Sequence, residues 1–281
     1  MVCKTVDLYE YFKMEKPKGA HGILRTYVHL QSQEFCVGRT RPAMLVLPGG
    51  AYMSCSDREK EPIALAFVAK GFNAFTLEYS IHPLKFPTAL IEAAMAMVYI
   101  RENAAEFYID PEHVCAIGFS AGGHLLGTLS TMYDSEEVKS ALKEKTAIVR
   151  PDAAIYTYPV VTSGALTHED SMRYLCGDDK VLRERVSIEK NINKNSPPAF
   201  IWTLAGDKDV APENSLMLAT AYARAGVPFE IHVFAGGVHG MSLCTMETVF
   251  PTREDLLGDA KVWIDLVDTW LKNMGFEIKI Y

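Results

Sequence analysis

The chain has no C-x-x-C pair and no cysteine–histidine spacing of the kind that holds a metal. Its six cysteines, Cys3, Cys36, Cys55, Cys115, Cys176 and Cys244, are scattered along the sequence. Scattered thiols fit a reducing cytoplasm, which is the expected location. Basic residues interleaved with aromatics are also lacking, and the formal net charge is −7. That balance argues against a nucleic-acid surface or an anionic membrane as partner. No apolar run approaches the roughly 18 residues of a membrane span. The longest candidate, residues 89–100, is short and broken by Glu92. The start, Met1 to Asp7, lacks a basic segment followed by an apolar one, so no signal peptide is expected there. There is no internal repeat and no low-complexity linker. With 281 residues, 49% of them hydrophobic, the chain can bury a sizeable core, and residues 1–281 are expected to form a single domain.

What is present is an alternation. Short apolar runs near residues 22–30, 43–47, 72–79, 114–119, 153–158, 199–204 and 230–234 read as strands. Helical stretches separate them. Residues 58–70 follow the cap candidates Ser56 and Asp57. Residues 88–103 carry Leu90, Ile91, Ala94, Met95, Val98 and Tyr99 at helical spacing. Residues 212–225 start at a proline and stop at Gly226. Residues 255–274 would form the last long helix. Strands alternating with helices predict an α/β architecture, a doubly wound, mostly parallel sheet with helices on both faces. The segment 162–198 breaks the alternation. It is polar and predicted to be helical over 169–176 and 181–191. It is expected to form a small cap over the site described next. Residues 277–281 read equally as a short strand or a frayed tail.

The sharpest local signal is Gly118-Phe119-Ser120-Ala121-Gly122. This G-x-S-x-G follows the apolar run 114–117 and opens a helix-compatible stretch. A serine hydroxyl needs exposure, orientation and a neighbouring base to act as a nucleophile. A tight strand-to-helix turn supplies the exposure, and the glycines relieve its crowding. The free N–H groups of the new helix point to where negative charge would develop.

Two further strand ends carry matching groups. The run 199–204 leads to Gly206-Asp207-Lys208-Asp209, and the run 229–234 leads to Gly236-Gly237-Val238-His239-Gly240. Serine, aspartate and histidine thus follow in the chain order of an α/β-hydrolase. A parallel sheet gathers such strand ends at one edge. Ser120 is the candidate nucleophile and His239 the candidate base. Asp207 is favoured as the acid that orients the histidine, with Asp209 the alternative and otherwise a cap for the next helix. His124, four residues past Ser120, reads as support for the turn, and His168 has no motif around it. Upstream, the run 43–47 leads into Pro48-Gly49-Gly50-Ala51-Tyr52. The amides of Gly50, Ala51 and Ala121 are the candidate oxyanion donors. Tyr52 and Tyr79 are candidate substrate-lining aromatics.

These segments together resemble a family, the bacterial acetyl esterases and acetylxylan-esterase-like α/β-hydrolases. Leu47 to Tyr52, with Ser54 and Asp57-Arg58-Glu59, is similar to their P-G-G-G-Y…S…R-E segment. Asp110-Pro111 and the block from Gly118 to Leu125 are similar to their D-P…G-F-S-A-G-G-H-L block. The resemblance runs from about Arg25 to about Leu243. Ala51 stands where the family has a third glycine, and the backbone N–H it offers is unchanged. The acid segment, Ala205 to Pro212, is shifted relative to the family's A-x-D-x-V-V-P. Matching without a gap from Glu213-Asn214-Ser215 puts Asp207 on the acid.

The resemblance implies a serine carboxylesterase acting on short acyl esters, acetyl above all, of sugars or xylo-oligosaccharides. It implies an acyl-enzyme on Ser120, no cofactor and no metal. The partner is then a small-molecule ester, an acetylated oligosaccharide among the candidates. An amidase, formamidase or peptidase would use the same three residues. A non-catalytic small-molecule receptor would have no need of all three. A dinucleotide-dependent oxidoreductase would need G-x-G-x-x-G, and Ser120 occupies the place of its middle glycine.

Overall fold

A computed structural model describes residues 1–34, 38–249 and 259–280 of the chain. In chain order the elements are β1 (Thr5–Asp7), α1 (Leu8–Phe12), β2 (Ile23–Tyr27), β3 (Arg41–Leu47), α2 (Glu61–Ala69), β4 (Asn73–Glu78), α3 (Thr88–Glu102), α4 (Ala104–Phe107), β5 (Ile109–Phe119), α5 (Ala121–Met132) and α6 (Glu136–Leu142). Then follow β6 (Ala154–Thr157), α7 (Glu169–Cys176), α8 (Lys180–Arg185), β7 (Ala199–Leu204), α9 (Glu213–Ala225), β8 (Phe229–Phe234) and α10 (Trp263–Asn273). The strands form one sheet in the order β1-β2-β4-β3-β5-β6-β7-β8. β2 runs antiparallel to both β1 and β4. From β4 to β8 every pairing is parallel.

The apolar strands are continuous runs because both faces of the sheet are covered. Alternate residues of β3 show this. Met44 and Val46 enter one core with Ile63 and Phe67 of α2 and Trp263, Val267 and Leu271 of α10. Leu45 and Leu47 enter the other with Ala93 and Met97 of α3 and Leu125 and Leu126 of α5. Each such fully buried aliphatic or aromatic side chain contributes roughly 1.5–3 kcal/mol relative to exposure. A charge at Val46 would therefore disrupt the sheet where it positions the loop that follows β3. On the α10 side, Trp202 and Trp263 stack with centroids 5.2 Å apart.

Several local expectations are corrected. The single helix expected over 58–70 is a short 3-10 turn, Asp57–Glu59, and then α2. Neither Ser56 nor Lys60 caps with its side chain. The break turns Glu59 inward, to 3% exposure. The helix expected over 181–191 ends at Arg185 and resumes as a turn at Ile188–Lys190. It is interrupted because the Val186 carbonyl accepts from the His124 ring and the Ile188 N–H donates to Val161. Part of the helix expected over 255–274 lies outside the described residues, as does Cys36. Its described part is α10, preceded by a 3-10 turn at Asp259–Val262. At the C-terminal end Lys279 makes an isolated bridge to Thr40, while residue 281 lies outside the described residues. The short β1, α1, α4 and α6 are additional to the expected elements. No helix among the described residues is long and apolar enough to cross a membrane.

Candidate active site

The carboxyl ends of the parallel strands share one edge, and the loops leaving it carry the candidate residues. β5 delivers Ser120 at φ 51°, ψ −118°, a backbone conformation that a residue with a side chain rarely adopts. The two glycines of the motif make this turn possible. A Cβ on Gly118 would lie 2.3 Å from the Gly122 carbonyl oxygen, and one on Gly122 would lie 2.2 Å from that of Leu47. Both contacts are with backbone and could not relax.

The loops after β7 and β8 bring Asp207 and His239 to this serine. His239 Nε2 lies 2.8 Å from Ser120 Oγ, and His239 Nδ1 lies 2.7 Å from Asp207 Oδ2. An ionised carboxylate only accepts, so the proton sits on Nδ1, and Nε2 is free to accept from the serine hydroxyl. Asp207 is itself held. Its Oδ1 accepts from the N–H groups of Asp209 and Val210, each at 3.0 Å. The Asp207 side chain is fully buried, while that of His239 keeps 15% exposure. The ring of Tyr158, just past β6, packs edge-on against His239 at 5.0 Å.

Asp209, the alternative acid, meets Asp207 through its own amide and has no bond to His239 among the described residues. Nor does it cap α9, whose N-cap is Pro212 with no side-chain hydrogen bond. That expectation is corrected: the carboxylate is exposed at the cavity wall instead.

The loop after β3 passes on the other side of Ser120. Gly50, Ala51 and Tyr52 have φ of 127°, 56° and 58°, a tight left-handed turn. The Gly50 and Ala51 amides donate to no other group among the described residues. The Ala121 amide, first in α5, has no partner within the helix. Gly50 and Ala51 line the cavity together with Ser120, and Ala121 follows Ser120 in the chain.

Tyr52 and Tyr79 do not line the site, contrary to expectation. They are 2% and 0% exposed. The Tyr52 hydroxyl lies 2.9 Å from His124 Nδ1, and the Tyr79 hydroxyl donates to the Pro48 carbonyl at 2.6 Å. The left-handed turn sends the Tyr52 side chain beneath the loop, so both tyrosines brace it from below. His124 Nε2 reaches the Val186 carbonyl at 3.0 Å, which makes Nδ1 the acceptor for Tyr52. Complete burial lowers the His124 pKa to about 4, so the ring is neutral.

Two further residues are not among the candidates named from the sequence: Glu59, quoted there only within Asp57-Arg58-Glu59, and His168, which has no motif around it. Glu59 is buried and accepts from the Gly49 amide at 2.8 Å and the Tyr158 hydroxyl at 2.7 Å. His168, from the segment between β6 and β7, borders the same cavity as Ser120, His239, Gly50, Ala51 and Met53. That cavity is about 440 Å³. A larger one, about 730 Å³, lies against α9 and is lined by Glu189, Glu213 and Arg224 among others, with no nucleophile–base pair. The candidate nucleophile–base pair, Ser120 and His239, borders the smaller cavity. Among the described residues no group of three or more His, Cys, Asp or Glu is arranged to hold a metal ion.

This geometry has counterparts among known proteins. The BD-FAE family model matches residues 37–222. The chain belongs to the BD-FAE family. It is 39% identical over 216 residues to endo-1,4-beta-xylanase B of Butyrivibrio fibrisolvens, a match covering 74% of the chain and 33% of that protein. It is 28% identical over 233 residues to an acetylxylan esterase of Xylanibacter ruminicola, covering 79% of the chain and 45% of that protein. The chain thus spans a third to just under half of the length of these curated relatives. Among solved structures, an acetyl ester-xyloside bifunctional hydrolase from Caldicellulosiruptor lactoaceticus superposes with a TM-score of 0.83. It has 32% identity and covers 98% of the chain and 97% of its own. The carboxylesterase Cest-2923 from Lactobacillus plantarum superposes equally, TM-score 0.83, at 26% identity and 99% of both chains. The α/β-hydrolase fold expected from the sequence is the fold of this BD-FAE family member and of its structural relatives, and the resemblance to acetylxylan-esterase-like proteins holds.

Proposed function

We propose that the protein is a serine carboxylesterase that hydrolyses short-chain esters, acetyl above all, of sugars or xylo-oligosaccharides. The observation that carries this reading is the placement of His239 between Ser120 Oγ and Asp207 Oδ2, at 2.8 and 2.7 Å. His239 Nε2 takes the hydroxyl proton as Ser120 Oγ attacks the ester carbonyl. The carbonyl oxygen becomes an oxyanion held by the amides of Gly50, Ala51 and Ala121. Asp207 keeps the imidazole in the useful tautomer and stabilises the imidazolium. The imidazolium passes its proton to the departing alkoxide. Water then attacks the acyl-enzyme, giving its proton to His239, and the acid leaves as Ser120 recovers its hydrogen. Oxyanion donors are commonly worth about 10²–10³ in rate each, because they are aimed before the charge develops.

The names of the relatives support an ester on a xylan-type sugar. The glycosidase half of those names is not carried over. Glycoside hydrolysis needs two carboxyl groups free to flank the bond. Here Glu59 has both oxygens engaged, by Gly49 and Tyr158. An amidase or formamidase would use the same triad; no specific group of the cavity favours it. The segment 162–198 acts as a small cap, contributing His168 to the cavity wall.

The short-acyl part of the reading rests on the oxyanion loop. It is braced from below by Tyr52 and Tyr79, and Met53 projects from it at the cavity edge. Forcing extra methylenes against a wall that cannot retreat costs roughly 1–3 kcal/mol each in transition-state binding. The test is kcat/KM for p-nitrophenyl esters of two, four and eight carbons, with acetate release from acetylated xylo-oligosaccharides alongside. A steep fall from two carbons to eight, with acetate release, is expected. A flat profile or a maximum at eight carbons contradicts the acetyl assignment.

A further inference from the structure

Among the described residues, His168 is the one side chain of the 162–198 segment that borders the catalytic cavity, and its ring is already oriented. It is the N-cap of α7. Its Nδ1 accepts from the Ser171 amide at 3.4 Å and lies 2.9 Å from the hydroxyl of Ser171, which has no solvent exposure. With Nδ1 serving as an acceptor, the ring proton of the neutral form belongs on Nε2. Burial, and then the charge His239 carries when protonated, lower the His168 pKa. With Nδ1 engaged, the ring offers its Nε2–H to the cavity.

Its location identifies which part of a substrate it would meet. His239 must hand its proton to the leaving oxygen, so the alcohol departs on the His239 side of the cavity. His168 lines the same cavity as His239 and Asp209. Asp209, an exposed residue, is tied through its amide to Asp207, the partner of His239, and borders this cavity. A neutral N–H donor and a carboxylate acceptor thus border the space for the departing alcohol. A hydroxyl group, which donates one hydrogen bond and accepts others, matches that pair. A purely apolar alcohol would leave both unanswered.

We infer that His168 and Asp209 form a hydroxyl-recognition subsite on the leaving-group side, the His168 Nε2–H donating to, and the Asp209 carboxylate accepting from, free hydroxyls of the alcohol. The inference rests on the ester-hydrolase reading above and adds the residues that select a polyhydroxylated leaving group over an aryl one.

The experiment compares kcat/KM for a monoacetylated methyl xyloside, whose leaving group carries free hydroxyls, with that for p-nitrophenyl acetate, whose leaving group carries none. The enzymes are the wild type, His168→Ser, His168→Phe and Asp209→Asn. Serine is itself a good N-cap but is too short to reach into the cavity, whereas phenylalanine loses cap and donor together. The subsite predicts that the xyloside-to-aryl ratio falls about tenfold in His168→Ser and in Asp209→Asn, the scale of one net hydrogen bond. It also predicts that the melting temperature falls more in His168→Phe than in His168→Ser. A ratio unchanged in both His168→Ser and Asp209→Asn overturns the subsite while leaving the esterase reading intact. Failure of the wild type to hydrolyse either ester overturns that reading and the subsite with it.

Discussion

The phenolic hydroxyl of Tyr158 donates to Glu59 Oε1 at 2.7 Å and accepts from the Ser242 amide at 2.9 Å. Because Glu59 also holds the Gly49 amide, one buried carboxylate joins the loop after β3, the end of β6 and the loop that carries His239. Arg58, the residue before it, adds a second tie by donating to the Gly240 carbonyl at 2.7 Å. The loops on either side of Ser120 are thus fixed to each other below the cavity.

Tyr158→Phe tests this link. It leaves the Ser242 amide and one oxygen of Glu59 without their partner, at about 1–3 kcal/mol for a buried group. The expected result is a melting temperature lower by several degrees and a kcat on p-nitrophenyl acetate lower by several-fold, with KM less affected. The losses come from loop position, because the substituted ring can still pack on His239. An unchanged kcat would show that the loops hold their places without the Glu59 link.

The two aspartates separate by ranking. Asp207→Asn leaves His239 with an amide that can present N–H to Nδ1 and favour the wrong tautomer, a change that costs about 10⁴ in kcat in comparable triads. Asp209→Asn keeps the amide that bonds Asp207 and should cost no more than about tenfold on p-nitrophenyl acetate. Steady-state kinetics of both variants decide it. The reverse ranking would assign the orienting acid to Asp209.

His124 gives a pH dependence of stability with a definite sign. Its folded pKa is about 4, against 6.5 for an unburied histidine. Between those values the unfolded chain binds the proton and the folded one does not, so stability falls as pH drops from 6.5 towards 4. The shift corresponds to about 3 kcal/mol. Above pH 6.5 both states are neutral and the group adds no slope. Urea unfolding at pH 7 and at pH 4.5 should show a smaller acid-side loss in His124→Gln than in the wild type. Equal losses would mean that His124 does not govern the acid limb.

Much of this architecture was legible in the sequence because its signals are local. Residues 43–47 of β3, 114–119 of β5 and 199–204 of β7 are nearly continuous apolar runs since helices cover both faces of the sheet, and each ends at a glycine-bearing turn. Ser120 and His239 could be found because each stands just past such an end, in the order Ser-Asp-His. The choice between Asp207 and Asp209 was less visible. Both lie in one loop, and only the folded turn, in which Asp207 Oδ1 collects two amides, aims its other oxygen at His239. Tyr52 misled because a tyrosine beside a glycine-rich loop reads as a pocket wall, while a φ of 58° turns it under the loop. His168 could not be found at all. Nothing in His168-Glu169-Asp170-Ser171 marks a site, and its role depends on where a non-repeating segment lands over a distant strand end.

The most direct measurement is covalent labelling of the wild-type protein with a fluorophosphonate, followed by mass spectrometry of the labelled peptide. The account predicts a single adduct on Ser120. It also predicts that Ser120→Ala abolishes the adduct and lowers kcat on p-nitrophenyl acetate by about 10³-fold or more, the scale of triad knock-outs. An adduct on another serine, or a Ser120→Ala enzyme that retains wild-type turnover, would contradict it.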